Sequence, residues 1–270
     1  MIVTIVTPTL NAAEYLPQCI ASVKQNAVPG AEIDHVVVDP GSTDATIAIA
    51  KTAGCRLIQG KDKGIFDAIN KGSFQSRGDV LGFLGADDVM LPGAVAEIVK
   101  AFETSKARWA VGGIRWIDEQ GASLGDLSAP PAWIAPRAYA SLGWNPIMHM
   151  STYIRRDLFE ELGGFDITYR DAGDYELFMR ALEKTPFVRI AKPLTCFRRT
   201  GANNSMVNEQ RSRLESRAIA KRFGPGFAGE RTIWRFAMRA LINLRNPGWL
   251  AHKTKTAARA FFDPATPRYF

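Results

Sequence analysis

Cysteine and histidine are scarce in this chain, three of each among 270 residues. Cys19, Cys55 and Cys196 lie far apart, odd in number and without metal-ligand spacing, which excludes a disulfide scaffold or a zinc ribbon. A reducing compartment, with the thiols as core filler, is the expectation. No apolar run approaches the roughly 20 residues of a membrane span. The segment Met1-Ile2-Val3-Thr4-Ile5-Val6 has no basic n-region and reads as a strand, not a signal peptide. A cytoplasmic protein is therefore expected, neither exported by a signal peptide nor integral to a membrane. Also missing is the G-x-G-x-x-G turn of dinucleotide folds, since Thr7-Pro8-Thr9-Leu10-Asn11 stands where it would fall. The chain shows no internal repeat and no low-complexity tract.

What is present is ordinary globular composition, 46% hydrophobic and 23% charged. β-Branched runs at 2–6 and 33–39, with 55–59 and 80–84, predict four buried strands. Helical spacing between them, over 12–26, 45–53 and 65–75, predicts three helices. Strand, helix, strand, helix at this interval implies an α/β fold, a mainly parallel sheet flanked by helices. Further on, a helix is expected over 91–103 and a strand over 109–118. Strands over 148–154, 187–190 and 194–197 and helices over 156–162, 174–182 and 208–223 complete the reading, with a boundary at Gly224-Pro225-Gly226.

Acids stand where these elements meet. The run Val80 to Leu84 ends in the adjacent carboxylates Asp87 and Asp88, and Pro92 then opens a helix. Ligands of open α/β sheets bind at the carboxyl edge. Two neighbouring acids there resist joint ionisation unless a cation lies between them, and Mg²⁺ typically uses one or two carboxylates plus substrate phosphates. Asp39 closes the second strand, and Asp174 opens the late helix. Each also has a plainer reading: Asp87 as a helix cap with Asp88 solvated, Asp39 as a turn cap, Asp174 as an N-cap. Together, without a Gly-rich phosphate loop, they suggest a nucleotide held by side chains and a metal.

The blocks Pro8-Thr9-Leu10-Asn11, Val38-Asp39-Pro40-Gly41-Ser42-Thr43-Asp44, Asp62-Lys63-Gly64-Ile65-Phe66-Asp67-Ala68-Ile69-Asn70-Lys71-Gly72, Phe83-Leu84-Gly85-Ala86-Asp87-Asp88 and Gly163-Gly164-Phe165-Asp166, followed by Asp174-Tyr175-Glu176-Leu177, resemble the inverting nucleotide-sugar glycosyltransferases of family 2. The order and spacing carry the resemblance, which covers roughly the first three quarters of the chain. The Asp62–Asn70 block and His149-Met150-Ser151 resemble the bacterial subgroup that builds exopolysaccharide, capsule or lipid-linked surface glycans. The resemblance implies a GT-A fold and a divalent metal, Mg²⁺ or Mn²⁺, on Asp87 and Asp88. It implies Pro8, Thr9 and Asn11 lining the nucleotide pocket, Asp39 accepting from the base imide, and hence a UDP-sugar donor. Ser42 and Asp67 fall near the ribose or donor sugar, and Asp174 is the general base. His149 is either a structural histidine or a contact to the diphosphate or acceptor. Lys61, Lys63 and Lys71 are either solvated or a diphosphate clamp, and residues 198–205 are expected to form a loop over the donor. Two departures stand out: Leu10 replaces an aromatic residue, and Gly85 replaces the first acid of Asp-x-Asp. Gly85 keeps a membrane-surface binding module that has lost catalysis as an alternative. A sugar nucleotidyltransferase is a second alternative, although no Gly-rich N-terminal loop supports it.

Charge divides the chain. From Ser205 onward there are 13 Lys and Arg against 4 acids, so the whole net charge of +7 belongs to the tail. Arg231, Arg235 and Arg239 recur every fourth residue among Ile233, Trp234, Phe236, Met238, Leu241, Ile242 and Leu244. A second basic and aromatic segment runs from Trp249 to Phe262. Such helices either lie in a membrane interface, attracted by anionic lipid, or pack on the body with arginines outward. No nucleic-acid motif accompanies the charge, so no nucleic-acid partner is expected. The expected organisation is a catalytic domain over 1–204, with a nucleotide half (1–105) and an acceptor half (106–204), and a basic amphipathic extension over 205–270. The expected partners are a nucleotide-sugar donor, a glycan or lipid-linked acceptor, and an anionic membrane on its cytoplasmic face.

Overall fold

The computed structural model describes residues 1–200, 203, 207–224, 227–248, 250, 251 and 254. Most of the expected second tail segment, including Trp249, Lys253, Lys255 and Phe261-Phe262, lies outside them, as do parts of the 198–205 loop and Pro225-Gly226.

The first half alternates as its pattern dictates: β1 (Ile2–Pro8), α1 (Leu16–Lys24), β2 (Glu32–Asp39), α2 (Thr46–Thr52), β3 (Arg56–Gln59), α3 (Ile65–Gln75) and β4 (Val80–Phe83). β1 pairs in parallel with β2 and β4, and β2 with β3. All four strands therefore deliver their carboxyl ends to one edge. Val3, Val6, Val36, Val38, Val80 and Leu81 bury this half, and α3 lies close on it because residue 72 is glycine. A Cβ there would meet Val6 Cγ1 at 2.5 Å.

The second half is built differently. After β5 (Val89–Met90) and α4 (Ala94–Glu103) come β6 (Trp109–Ile117), β7 (Ser123–Leu127), α5 (Pro136–Ser141), β8 (Thr152–Arg155), α6 (Arg156–Glu161), α7 (Gly173–Lys184) and β9 (Val188–Arg198). Among the described residues, nine strands form one sheet in the order β3-β2-β1-β4-β8-β6-β9-β5, with β7 on β6. β8 runs antiparallel to both β4 and β6, so the sheet is parallel across β3, β2, β1 and β4 and mixed beyond them. The strand expected over 148–154 starts with a 3-10 turn, His149–Ser151. Its side chains divert the backbone: Thr152 Oγ1 donates to Met148 O (2.9 Å) and Ser151 Oγ to Gly113 O (2.7 Å). The strands expected at 187–190 and 194–197 are one strand, β9, whose register against β6 shifts on either side of Gly113.

Aromatic contacts join the halves. Phe165 stacks on Phe66 at 5.2 Å and meets Phe83 edge-on at 5.1 Å. Asn70 exchanges two 2.8 Å hydrogen bonds with the Phe165 backbone, so two of the sequence blocks touch. Two helices follow: α8 (Glu209–Phe223), which packs on α5 and α7, and α9 (Ala228–Arg245), which docks on α5.

Candidate active site

The ends of β1 and β2 are tied into one unit. Asp39, fully buried, accepts from Gly41 N (2.8 Å), Ser42 N (2.6 Å), Ser42 Oγ (2.6 Å) and Thr9 Oγ1 (2.9 Å). Burial pushes its carboxyl up, but the Ser42 hydroxyl and N–H, with Gly41 and Thr9, outweigh it and hold the group below the usual carboxylate range. Ser42 Oγ also accepts from Asn11 N (2.8 Å), and Asn11 Oδ1 accepts from Thr43 N (2.9 Å). Asn11 holds φ at +50°, a left-handed conformation that asparagine tolerates. Pro8, Thr9, Asn11, Asp39 and Ser42 thus stand together at the carboxyl edge. The Asp39 oxygens already take four donors, so a ligand N–H reaches them by exchange with one of those.

Asp67, in the first turn of α3, accepts from Lys63 N (2.8 Å) and pairs with Lys71 Nζ (3.0 Å). Lys71 Nζ also donates to Lys61 O at 2.6 Å. These residues fix the loop that precedes α3, and Lys71 is a loop tie.

Asp87 and Asp88 follow β4. Asp88 is 2% exposed, and its Oδ1 accepts from Arg198 N at 3.1 Å. Asp87 Oδ2 accepts from Asn203 Nδ2 at 3.2 Å. Burial pushes both carboxyls up, and Asp87 adds to the shift of Asp88. Asp88 Oδ2 and Asp87 Oδ1 turn toward the Gly85 backbone, where a Cβ would lie 2.8 and 2.9 Å from them. The glycine in place of the usual acid therefore leaves room for the two carboxylates that remain. Hard oxygen donors that resist joint ionisation match a divalent cation. Among the described residues no group of three or more His, Cys, Asp or Glu could hold a metal. A cation on this pair would complete its shell with phosphate oxygens and water.

Arg198, expected in a loop over the donor, is instead the last residue of β9 and 2% exposed. Its Nε donates to Asp87 O (2.9 Å), NH1 to Glu119 O (2.8 Å) and NH2 to Gln18 Oε1 (2.6 Å), and it lies 5.0 Å over the Tyr15 ring. It anchors the acid turn through the backbone.

Asp174 is the second residue of α7. Its Oδ2 accepts from Asn145 Nδ2 (3.0 Å) and lies 3.6 Å from His149 Nδ1, while Oδ1 accepts from Tyr175 N (2.7 Å). Burial pulls the His149 pKa down, but its contact with Asp174 and then the charges of Asp88 and Asp87 outweigh that and raise it. His149 thus sits in the field of both acid groups. Asn145 was not foreseen, and nothing in Trp144-Asn145-Pro146 signals it.

The family model for "Glycosyl transferase family 2" matches residues 4–163. A PGL/p-HBAD biosynthesis glycosyltransferase of Mycobacterium bovis is 31% identical over 195 residues, spanning 68% of this chain and 71% of that protein. Among solved structures, S. aureus TarS 1-349 in complex with UDP-GlcNAc matches with a TM-score of 0.64 at 15% identity, over 99% of this chain and 82% of that one. The mannosyltransferase PcManGT from Pyrobaculum calidifontis, in complex with GDP-Man and Mn²⁺, matches with a TM-score of 0.60 at 20% identity, over 95% and 75%. These last two likenesses speak to the fold, which is that of GT-A glycosyltransferases. On the family match and the mycobacterial relative, the chain belongs to glycosyltransferase family 2 and is a glycosyltransferase enzyme.

Proposed function

We propose that this enzyme transfers a sugar from a nucleotide-sugar donor, a UDP-sugar, with inversion, to a glycan or lipid-linked acceptor in bacterial surface polysaccharide synthesis. The observation that carries the reading is His149, placed 3.6 Å from Asp174 and within the field of Asp87 and Asp88. A base and a diphosphate-binding pair must flank the anomeric carbon from opposite sides, and in this reading Asp174 and the Asp87-Asp88 pair, which come from distant segments and both act on His149, do so.

In this reading Asp174 takes the acceptor hydroxyl's proton as the acceptor oxygen bonds to the anomeric carbon and the bond to the diphosphate breaks. Asn145, His149 and the Tyr175 N–H hold its two oxygens in place. Such a base contributes ~10²–10⁴-fold in rate. Asp87 and Asp88 would hold Mg²⁺ or Mn²⁺, which supplies Lewis-acid stabilisation of the departing diphosphate. Pro8, Thr9, Asn11, Asp39 and Ser42 hold the nucleoside, and Asp67 fixes the loop beside the donor sugar. The relative's role in PGL/p-HBAD biosynthesis and the UDP-GlcNAc and GDP-Man bound by the two structural neighbours support this class of donor and acceptor. The catalytic domain is taken as 1–204, halved at 105, with 205–270 as its extension.

The test is calorimetry with UDP alone and with Mn²⁺, joined to a donor-hydrolysis screen across common nucleotide sugars. Metal-enhanced UDP binding and preferential cleavage of a UDP-sugar are expected. Metal-independent binding, or no cleavage of any donor, would sink the proposal.

The enzyme works at the cytoplasmic face of the membrane in this reading. Among the described residues no helix is long and apolar enough to cross a membrane. Met238 and Ile242 dock α9 on the body, whereas Ile233, Phe236 and Leu244 are 70, 69 and 80% exposed. Exposed Arg239 lies beside them, while Arg235 turns to the body and donates to Ser141 O; an apolar face edged by arginine suits a helix lying in an anionic interface. Sedimentation with phosphatidylglycerol vesicles, and none with phosphatidylcholine, is expected. Phe236→Asp should abolish it, and equal sedimentation with both lipids would contradict the assignment.

A further inference from the structure

The candidate base is held in place from beyond the catalytic domain. α7 begins at Gly173 with Ala172 as its N-cap, whose side chain makes no capping hydrogen bond; within the first turn, among the described residues, only Tyr175 N finds a side-chain partner, Asp174 Oδ1. The first N–H groups of a helix have no intrahelical partner, and that end carries partial positive charge. Here the missing anion arrives from α8. Glu215 Oε1 accepts from Arg170 N at 2.9 Å, and Oε2 accepts from Asp171 N at 2.9 Å and Ala172 N at 2.8 Å. One carboxylate thus gathers three consecutive backbone N–H groups immediately before Asp174.

Two further ties keep α8 in register with this turn. Arg211 NH2 donates to Asp171 Oδ1 at 3.0 Å, and the Asp171 side chain is fully buried by the pair. Arg222 NH1, at the other end of α8, donates to Glu176 Oε1 at 3.1 Å. Glu176 is itself held by Arg180, whose NH2 reaches Gly164 O at 2.9 Å. α8 therefore grips the base helix at both sides of Asp174. None of these contacts reaches the residues of the Asp39 loop or the Asp87-Asp88 turn, whereas the Arg170 guanidinium of the same turn donates to Lys63 O, in the loop that Asp67 fixes.

We propose that Glu215 is a positioning residue for the transfer reaction: through the Arg170–Ala172 turn it sets where the Asp174 carboxylate stands, which makes α8 part of the catalytic unit. The inference rests on Asp174 being the base. Misplacing a reacting group by about 1 Å can cost roughly 100-fold in rate, and nucleotide binding has no reason to change. The sequence offers no local sign of this. Glu215 lies outside the family match at 4–163 and more than 40 residues from its partners.

The test compares wild type with Glu215→Ala, Glu215→Gln, Asp174→Asn and the surface variant Arg213→Ala, all in the full chain. The readouts are hydrogen exchange of the 168–175 segment, calorimetry of UDP with Mn²⁺, and kcat and KM for hydrolysis of the UDP-sugar cleaved fastest. Glu215→Ala should speed exchange at 170–172 roughly tenfold, the scale of one lost charge-assisted hydrogen bond. It should lower kcat roughly 10- to 100-fold, with UDP affinity within about twofold of wild type, since neither the Asp39 loop nor the Asp87-Asp88 turn shares these contacts. Glu215→Gln keeps one oxygen of two and should fall between, and it carries the test if the alanine variant does not fold. Arg213→Ala should match wild type in every readout. Unchanged exchange overturns the proposal. Faster exchange with unchanged kcat also overturns it, because Glu215 would then be structural only. If Asp174→Asn keeps full turnover, the assignment of the base fails, and a kcat loss in Glu215→Ala would then have to be read through another group, overturning the proposal as stated.

Discussion

Asp39 and Asp174 both stand at the end of a regular element, but they are held by different means. Every donor to Asp39 comes from residues 9, 41 and 42, the two turns that cap neighbouring parallel strands. Asp174 depends on Asn145 and His149, which lie 29 and 25 positions away in sequence, and its helix start depends on Glu215. The Asp39 side is thus preorganised by short-range turn chemistry on a parallel sheet. The Asp174 side is assembled from a loop, a 3-10 turn and a later helix. Changes in remote packing should therefore reach turnover while leaving nucleotide affinity alone.

The strongest challenge to this division is Asp88→Ala. Removing one of the two carboxylates proposed to hold the metal should abolish the Mn²⁺ enhancement of UDP binding. It should also cut donor hydrolysis by at least about 100-fold, given that such a cation contributes several kcal/mol. Retained enhancement in calorimetry would move the metal elsewhere.

Gly85→Ala sharpens the comparison at a finer scale. The new methyl would stand 2.8 Å from Asp88 Oδ2 and 2.9 Å from Asp87 Oδ1, side-chain ends that yield more easily than backbone. Metal-enhanced UDP affinity should fall about tenfold, near one misplaced charge-assisted contact, with little change in melting temperature. Gly72→Ala is its counterpart. Its methyl would press on Val6 and Val38 between α3 and the sheet, and overpacking typically costs about 1–3 kcal/mol. Thermal denaturation should register that loss while the UDP affinity of the folded fraction stays unchanged.

The smallest effect concerns stability without metal. Burial and then Asp87 push the Asp88 carboxyl up to about 8, above an unfolded value of ~3.9. Below about pH 4 the group is protonated in both states and costs nothing; as pH rises toward the folded value, the folded state loses stability. Asp88→Asn should therefore raise the melting temperature of metal-free protein at pH 8 by roughly 2–4 °C for each kcal/mol recovered, and by much less at pH 4.5. An equal gain at both values would contradict the burial argument.

Much of the nucleotide side was legible because its signals are local. The β-branched runs of β1 and β2, the apolar run of β4 and the bounds of α3, Ile65–Gln75, read directly from pattern. β5 has two residues, too few for any periodicity, and β7 carries Gly125 and Asp126 in its middle. α5, six residues after a proline-rich loop, offered no repeat either. His149–Ser151 was misread as strand because side-chain hydrogen bonds, invisible to pattern, bend it. In the site, carboxylates at element ends were visible one by one. The partners that aim them, Asn145, Arg198 and Glu215, were not, since their meaning lies in contacts across the fold.

The most direct measurement is early-time ¹H NMR of UDP-α-sugar hydrolysis by wild type and Asp174→Asn, with UDP–Mn²⁺ affinity determined in parallel. A single displacement with Asp174 opposite the diphosphate predicts that wild type releases the β-anomer first, and that the variant slows by at least about 100-fold at unchanged affinity. Release of the α-anomer first, or a variant as fast as wild type, would contradict it.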